Sequence, residues 1–198
     1  SAAGTTSYGY FGGGAAPSVV STVQRIDYSS DTSTALVKGP LAAVSYNSGA
    51  TGNASYGYWG GYPALTTVSR IDYSSDTPTA ATKGPLASAK GYRGATGTTS
   101  YGYWGGGDPG PATTVDRLDF DNDTTTAVVK GPLSQARRYL AATGSKINGF
   151  PGPYAIYPWY DTSGKGNNAL ITDSRFRATD GGYFTFDGTG DYLTVPST

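Results

Sequence analysis

The chain has 198 residues and a net charge of +0; 37% of its residues are hydrophobic and 14% charged, with 30 Gly and 17 Tyr. It contains no His, Cys or Met, and all 14 acidic residues are Asp. This excludes thiolate nucleophiles, Ser-His-Asp triads, imidazole bases, Cys/His zinc sites and disulfides, and leaves structural and binding roles in front of catalytic ones.

The charge content lies below the usual ~25%, but the wealth of aromatics is unlike disorder. Gly, Tyr, Thr and Ser together indicate short strands and tight turns, hence an all-β fold. No basic face of the kind a nucleic-acid binder carries is visible, and no apolar run approaches the ~20 residues of a membrane span. No cofactor motif is present; Gly105-Gly106-Gly107 lacks the following Lys-Ser/Thr of a phosphate loop.

From the first residues onward the sequence repeats. Ser7-Tyr8-Gly9-Tyr10-Phe11-Gly12-Gly13 returns at Ser55–Gly61 and Ser100–Gly106 with Trp59 and Trp104 in place of Phe11. Thr22-Val23-x-Arg25-Ile26-Asp27-Tyr28 returns at 67–73 and 114–120, and Lys38-Gly39-Pro40-Leu41 at 83–86 and 130–133. Each unit closes on Ala-Thr-Gly or its equivalent at Ala50, Ala95 and Ala142. The Thr of Thr-Val and the Thr of Ala-Thr-Gly are 29 residues apart in every copy, so all variation in length falls after the Gly-Gly pair. A fixed body with one elastic loop is the mark of stacked supersecondary units.

Within each unit four strands are expected. Tyr8–Phe11 forms a short aromatic strand stopped by glycines. Residues 23–28 alternate as a half-buried strand does, and 29–32 make a polar turn. Residues 34–37 form a third strand, ended by Gly39-Pro40, and the stretch to Thr51 a weaker fourth. No window presents a helical face, except for a short turn over 134–142. The units run over about 7–54, 55–99 and 100–146. Because Gly4-Thr5-Thr6-Ser7 matches Gly97-Thr98-Thr99-Ser100, the chain starts inside a repeat, and further repeats upstream are expected in the natural polypeptide.

This pattern resembles a kelch repeat: a Gly-Gly pair ending one strand, a variable loop, a strand carrying Arg-x-Asp, a small turn and a last strand. The resemblance implies four-stranded propeller-type blades. More closely, Thr-Val-x-Arg-Ile-Asp-Tyr-Ser-x-Asp-Thr…Gly-Pro-Leu resembles repeats of structural and tail-fibre-like proteins of aquatic bacteriophages, over residues 1–146. The late-blade Trp of kelch repeats is missing, and three units are too few to close a ring, which leaves an incomplete ring or an open stack. After Lys146 the repeat stops. Residues 147–198, with Trp159-Tyr160-Asp161-Thr162-Ser163-Gly164 and Tyr183-Phe184-Thr185-Phe186-Asp187-Gly188, resemble the start of a laminin-G or concanavalin-like sandwich. An incomplete sandwich exposes sheet edges: either its remainder is disordered or cleaved, or its strands finish a neighbour's sheet.

Several residues are candidates for function. Arg25, Arg70 and Arg117 each precede an Asp (Asp27, Asp72, Asp119) by two residues, as an Arg–carboxylate ladder between adjacent repeats would. Phe11, Trp59 and Trp104 pack between repeats or stack on sugars. Asp119, Asp121 and Asp123 echo calcium-ligand spacing, but Ser29 and Ser74 replace the middle Asp in the other units, which favours a plain turn. Asn53 and Asn122 stand in N-glycosylation sequons. The pairs Asp187/Asp191 and Asp161/Asp173 are the weak grounds for a glycosidase. The expectation is a non-enzymatic structural subunit of an extracellular fibre or virion appendage, self-associating into a homo-oligomer or filament. The alternative is a carbohydrate-binding adhesion module that uses loops 14–21, 62–66 and 107–113 to recognise cell-surface glycans.

Overall fold

The computed structural model describes residues 1–15, 17–61 and 65–143, together with the backbone of five strands between 157 and 194. The chain divides into two units, Ser1–Gly149 and Phe150–Thr198. The described residues form strands and turns only, with no helix, so none is long and apolar enough to cross a membrane.

The first unit consists of three four-stranded antiparallel sheets, none closed into a barrel. Sheet one is β1 (Ala2–Gly4), β2 (Tyr8–Ala15), β3 (Val19–Asp27) and β4 (Leu36–Lys38); sheet two is β5 (Gly49–Gly52), β6 (Tyr56–Gly60), β7 (Val68–Asp72) and β8 (Ala81–Lys83). Sheet three is β9 (Gly94–Gly97), β10 (Tyr101–Gly105), β11 (Val115–Asp119) and β12 (Val128–Lys130). Each is a meander in chain order. The Ala-Thr-Gly segment is therefore not the closing strand of a unit: β5 and β9 open sheets two and three. The reason lies in register. Ala50 stands opposite Trp59 and Ala95 opposite Trp104, so each small residue pairs with the aromatic strand that follows it. The 134–142 stretch is not helical either; Arg137 bridges to Ala112 instead.

The Gly-Gly pair has a conformational cause. Gly61 and Gly106 hold φ of +97° and +72°, where a Cβ would be strained, and so end β6 and β10. In the first sheet the strand continues to Ala15 past a register shift between Gly12 and Gly14.

Neighbouring residues on a strand point to opposite faces, and here the two faces serve different cores. Tyr10, Val23 and Leu41 from sheet one pack with Trp59, Ile71 and Ala80 from sheet two. The next core repeats this with Tyr58, Val68 and Leu86 against Trp104, Leu118 and Ala127. Both cores lie between sheets, so no sheet buries a core alone. The connecting segments add a backbone ladder: Tyr92 N donates to Asn47 O and Tyr139 N to Tyr92 O, each at 3.0 Å. The same position is left-handed in all three connectors, at Asn47, Tyr92 and Tyr139.

In the second unit β13 (Tyr157–Trp159), β14 (Ala169–Thr172) and β17 (Tyr192–Thr194) form one antiparallel sheet, and β15 (Arg175–Arg177) pairs with β16 (Tyr183–Thr185). The Asp161/Asp173 and Asp187/Asp191 pairs lie outside the described residues.

The close fit between sheets is testable at equivalent glycines. A Cβ at Gly84 would run into the Thr125 carbonyl, whereas one at Gly131 meets nothing within 4 Å. Gly84→Ala should cost about 2 kcal/mol by overpacking, and Gly131→Ala less than about 0.5 kcal/mol in the monomer, as measured by urea unfolding.

Candidate functional site

Sites are built where one sheet meets the next. The turn after β7 carries Asp76, which sheet two inserts into a socket of sheet one. Tyr10 Oη donates to Asp76 Oδ2 at 2.9 Å, Arg25 Nη1 to the same oxygen at 2.7 Å, and Lys38 Nζ lies 3.1 Å from Oδ1. Strand register explains the convergence. Arg25 stands directly opposite Tyr10, and Lys38 pairs with Val23 on the other side of the same strand, so all three donors share one face. Backbone bonds seal the joint: Gly39 N donates to Asp76 O (2.9 Å) and Ala80 N to Pro40 O (2.8 Å).

The second junction copies the first. Asp123 receives Tyr58 Oη at 3.0 Å and Arg70 Nη1 at 2.7 Å, with Lys83 Nζ at 3.1 Å. Gly84 N donates to Asp123 O (2.6 Å) and Ala127 N to Pro85 O (2.8 Å). In both, the arginine is also held from behind, with its guanidinium 4.2 Å from the centroid of Tyr8 or Tyr56.

Burial would raise the Asp76 carboxyl, but hydrogen bonds from Lys38 and Tyr10 and the Arg25 charge outweigh it and hold the group below the usual carboxylate range. Tyr10 is pushed up to about 12, chiefly by burial, with the Arg25 hydrogen bond pulling down and Asp76 adding to the rise. Tyr58 is raised too, by burial and the Asp123 charge.

The arginines therefore do form ion pairs between repeats, but with Asp76 and Asp123. Asp27 and Asp72 instead close their own turns: Asp27 Oδ1 accepts Ser29 N at 2.9 Å and Asp72 Oδ1 accepts Ser74 N at 2.9 Å. The Ser29 and Ser74 hydrogen bonds hold both carboxyls below their ordinary value. Asp119 likewise accepts Asp121 N at 3.0 Å. Asp119 thus closes its own turn while Asp123 crosses to Arg70 and Lys83 of the preceding sheet.

Trp59 and Trp104 are 2% and 0% exposed, so neither can stack on a sugar; each packs onto the preceding sheet, with Trp104 Nε1 donating to Gly49 O at 3.1 Å. Phe11, their counterpart, is 50% exposed. Asn53 turns inward on its own loop, where its Oδ1 accepts Ser55 N and Tyr56 N at 2.9 Å, while Asn122 is exposed on the turn after β11. Loop 107–113 is tied to the connector by Asp108 N to Gly91 O at 3.0 Å and an Arg138–Asp108 pair at 2.7 Å. Residues 62–64 of the second loop and Ala16 of the first lie outside the described residues.

Sheet three holds a further pair, Arg93–Asp116, at 2.7 Å with both side chains 0% exposed. Asp116 also accepts Ser88 N and Oγ at 3.3 Å, and Arg93 Nε donates to Gly106 O at 3.2 Å. The signal for this pair is in the repeat: Asp116 replaces Gln24 and Ser69, and Arg93 replaces Ser48. A signal for the sockets is there too. A lysine and an aspartate kept in all three units of so charge-poor a chain call for each other.

Sheet three assembles a third set of donors by the same register, Tyr103 opposite Arg117 and Lys130 opposite Val115, with Arg117 4.3 Å from the Tyr101 centroid. Among the described residues no carboxylate reaches it, and Arg117 Nε is buried without a partner. In sheet one Asp31, the equivalent of Asp76 and Asp123, is exposed and has no side-chain partner among the described residues. No protein-family model matches the chain, and no curated protein matches its sequence.

Two measurements probe the sockets. Asp76→Ala and Asp123→Ala each strand three donors and should cost about 3 kcal/mol in denaturant unfolding, whereas Asp31→Ala should cost less than about 0.5 kcal/mol. Equal losses at all three would contradict the assignment. The depressed Asp27, Asp72 and Asp76 carboxyls stabilise the fold above the unfolded carboxylate range, so stability should fall as pH drops below about 4. Tyr10 has the opposite sign: its raised value stabilises below the unfolded value of 10, and that contribution should be lost as pH rises from there toward about 12. Urea midpoints across the pH range should show both flanks.

Proposed function

We propose that the chain is a structural, non-enzymatic repeat subunit of an extracellular fibre or virion appendage, and that it self-assembles into a homo-oligomer or filament. One observation supports this reading: among the described residues, sheets one and three present two unlike faces, each half of a junction that the three sheets complete twice between them. Phe11 and Tyr28 are 50% and 55% exposed on sheet one, whereas their counterparts Trp59 and Tyr73 are buried and half-buried, packed against sheet one. On sheet three Val115 and Leu133 are partly open, where Val68 and Leu86 are buried. Contiguous apolar surface of this kind marks an interaction site. Unlike faces on sheets one and three favour head-to-tail association, which yields closed rings or open filaments.

A carbohydrate-binding adhesion module is the second reading. A groove of about 370 Å³ runs along β1, β5 and β9, lined by Thr5, Thr51, Asn53 and Thr98 with Phe11 beside them. Hydroxyls, an amide and an open aromatic ring suit a sugar.

Negative-stain micrographs of the purified chain at rising concentration should show ordered rings or filaments. Glycan-array binding by a strictly monomeric chain would favour the second reading instead.

A further inference from the structure

We propose that the Asp31 turn of one copy docks into the Tyr103–Arg117–Lys130 socket of a second copy of this chain. The proposal rests on the self-association reading above and names the surface responsible. Each contact has two precedents within the chain. Asp31 occupies the repeat position of Asp76 and Asp123, whose carboxylates are held by Tyr, Arg and Lys of the preceding sheet. Tyr28 occupies the position of Tyr73 and Phe120, which stack on Tyr10 at 4.9 Å and on Tyr58 at 4.5 Å between centroids. Tyr103 is the ring that would receive Tyr28.

Phe11 occupies the position of Trp59 and Trp104. A Cβ at Gly12 would strike the Trp59 indole, and one at Gly60 would lie against Trp104. At Gly105 the nearest atoms are those of Val115 and Leu133, 3.6–3.7 Å away, with no indole among them, and this is the notch proposed for Phe11. The backbone is equally prepared. Gly39 and Gly84 are pressed against carbonyls of the following unit, and Gly131 is open. The charges are of opposite sign, one carboxylate meeting one guanidinium and one ammonium as at the two internal junctions. Arg117 is already positioned over Tyr101, so the socket is organised before it is filled.

Residues 140–143 lie on β9 as β9 lies on β5, with Thr96 Oγ1 donating to Thr143 O at 2.8 Å. In the docked pair this segment either replaces β1 of the incoming copy or yields to it. Phe11, Tyr28 and Asp31 lie on β2, at the end of β3 and on the turn that follows, and reach the socket in both cases.

The test uses sedimentation velocity of the full 198-residue chain from about 1 µM to about 100 µM. Wild type should associate as concentration rises. Asp31→Ala, which empties the plug, and Gly131→Ala, which blocks the socket sterically, should each remain monomeric. Neither changed side chain has a partner in the monomer among the described residues, so unchanged melting curves verify the fold. Mixed one to one, the two variants should form pairs that stop at two, because Gly131→Ala still offers Asp31 and Asp31→Ala still offers the socket. Association of either variant alone at the wild-type level, or no pairing in the mixture, overturns this interface while leaving self-association standing. A wild-type chain that stays monomeric throughout overturns both.

Discussion

A buried aspartate shared by three donors of the neighbouring sheet is the constraint on which the stack depends. Removing a carboxylate from water is costly, and one partner seldom offsets it. Here a phenol, a guanidinium and an ammonium converge on Asp76, and their equivalents on Asp123. Most of the stabilisation comes from elsewhere: burying Tyr10, Trp59 or Val23 is worth about 2–3 kcal/mol each. The ion cluster contributes position. A sheet slipped by one residue would turn Tyr10 and Arg25 away and leave the carboxylate buried without partners.

The same alternation that builds the sockets divides each sheet between two cores. Tyr10 faces forward and Phe11 backward; Tyr58 and Trp59 do the same in the next unit. Stability is then a sum over junctions rather than over sheets. The described sheets complete two junctions and present the halves of another. The exposed aromatics of sheet one and the partly covered Val115 and Leu133 of sheet three follow directly from this division.

Much of this was legible in the residues. Gly-Gly pairs, alternating Val-x-Arg-Ile-Asp-Tyr and the Lys-Gly-Pro-Leu turns mark four strands per unit, and the arginines mark contact between units. Two points were not. Whether Ala-Thr-Gly ends one sheet or opens the next is a matter of pairing across space, because a periodic sequence has no intrinsic frame. The arginine partner is not the local acid for a related reason: Asp27 is the nearest acid in sequence, yet its side chain is taken by Ser29 in the turn, while Asp76 arrives from 51 residues away. Arg93 and Asp116 stand where the repeat is broken, so its pattern does not single them out.

The first strands have a further effect on the form of the stack. Ala3, Gly4, Ala50, Gly52, Ala95 and Gly97 bring β1, β5 and β9 close together, while Tyr, Trp and Leu hold the middle strands of successive sheets further apart. Each unit is thus a wedge, thin at its first strand. A larger side chain at Gly49 or Gly97 would strike Ala95 or Thr51 of the neighbouring first strand and push the two thin edges apart.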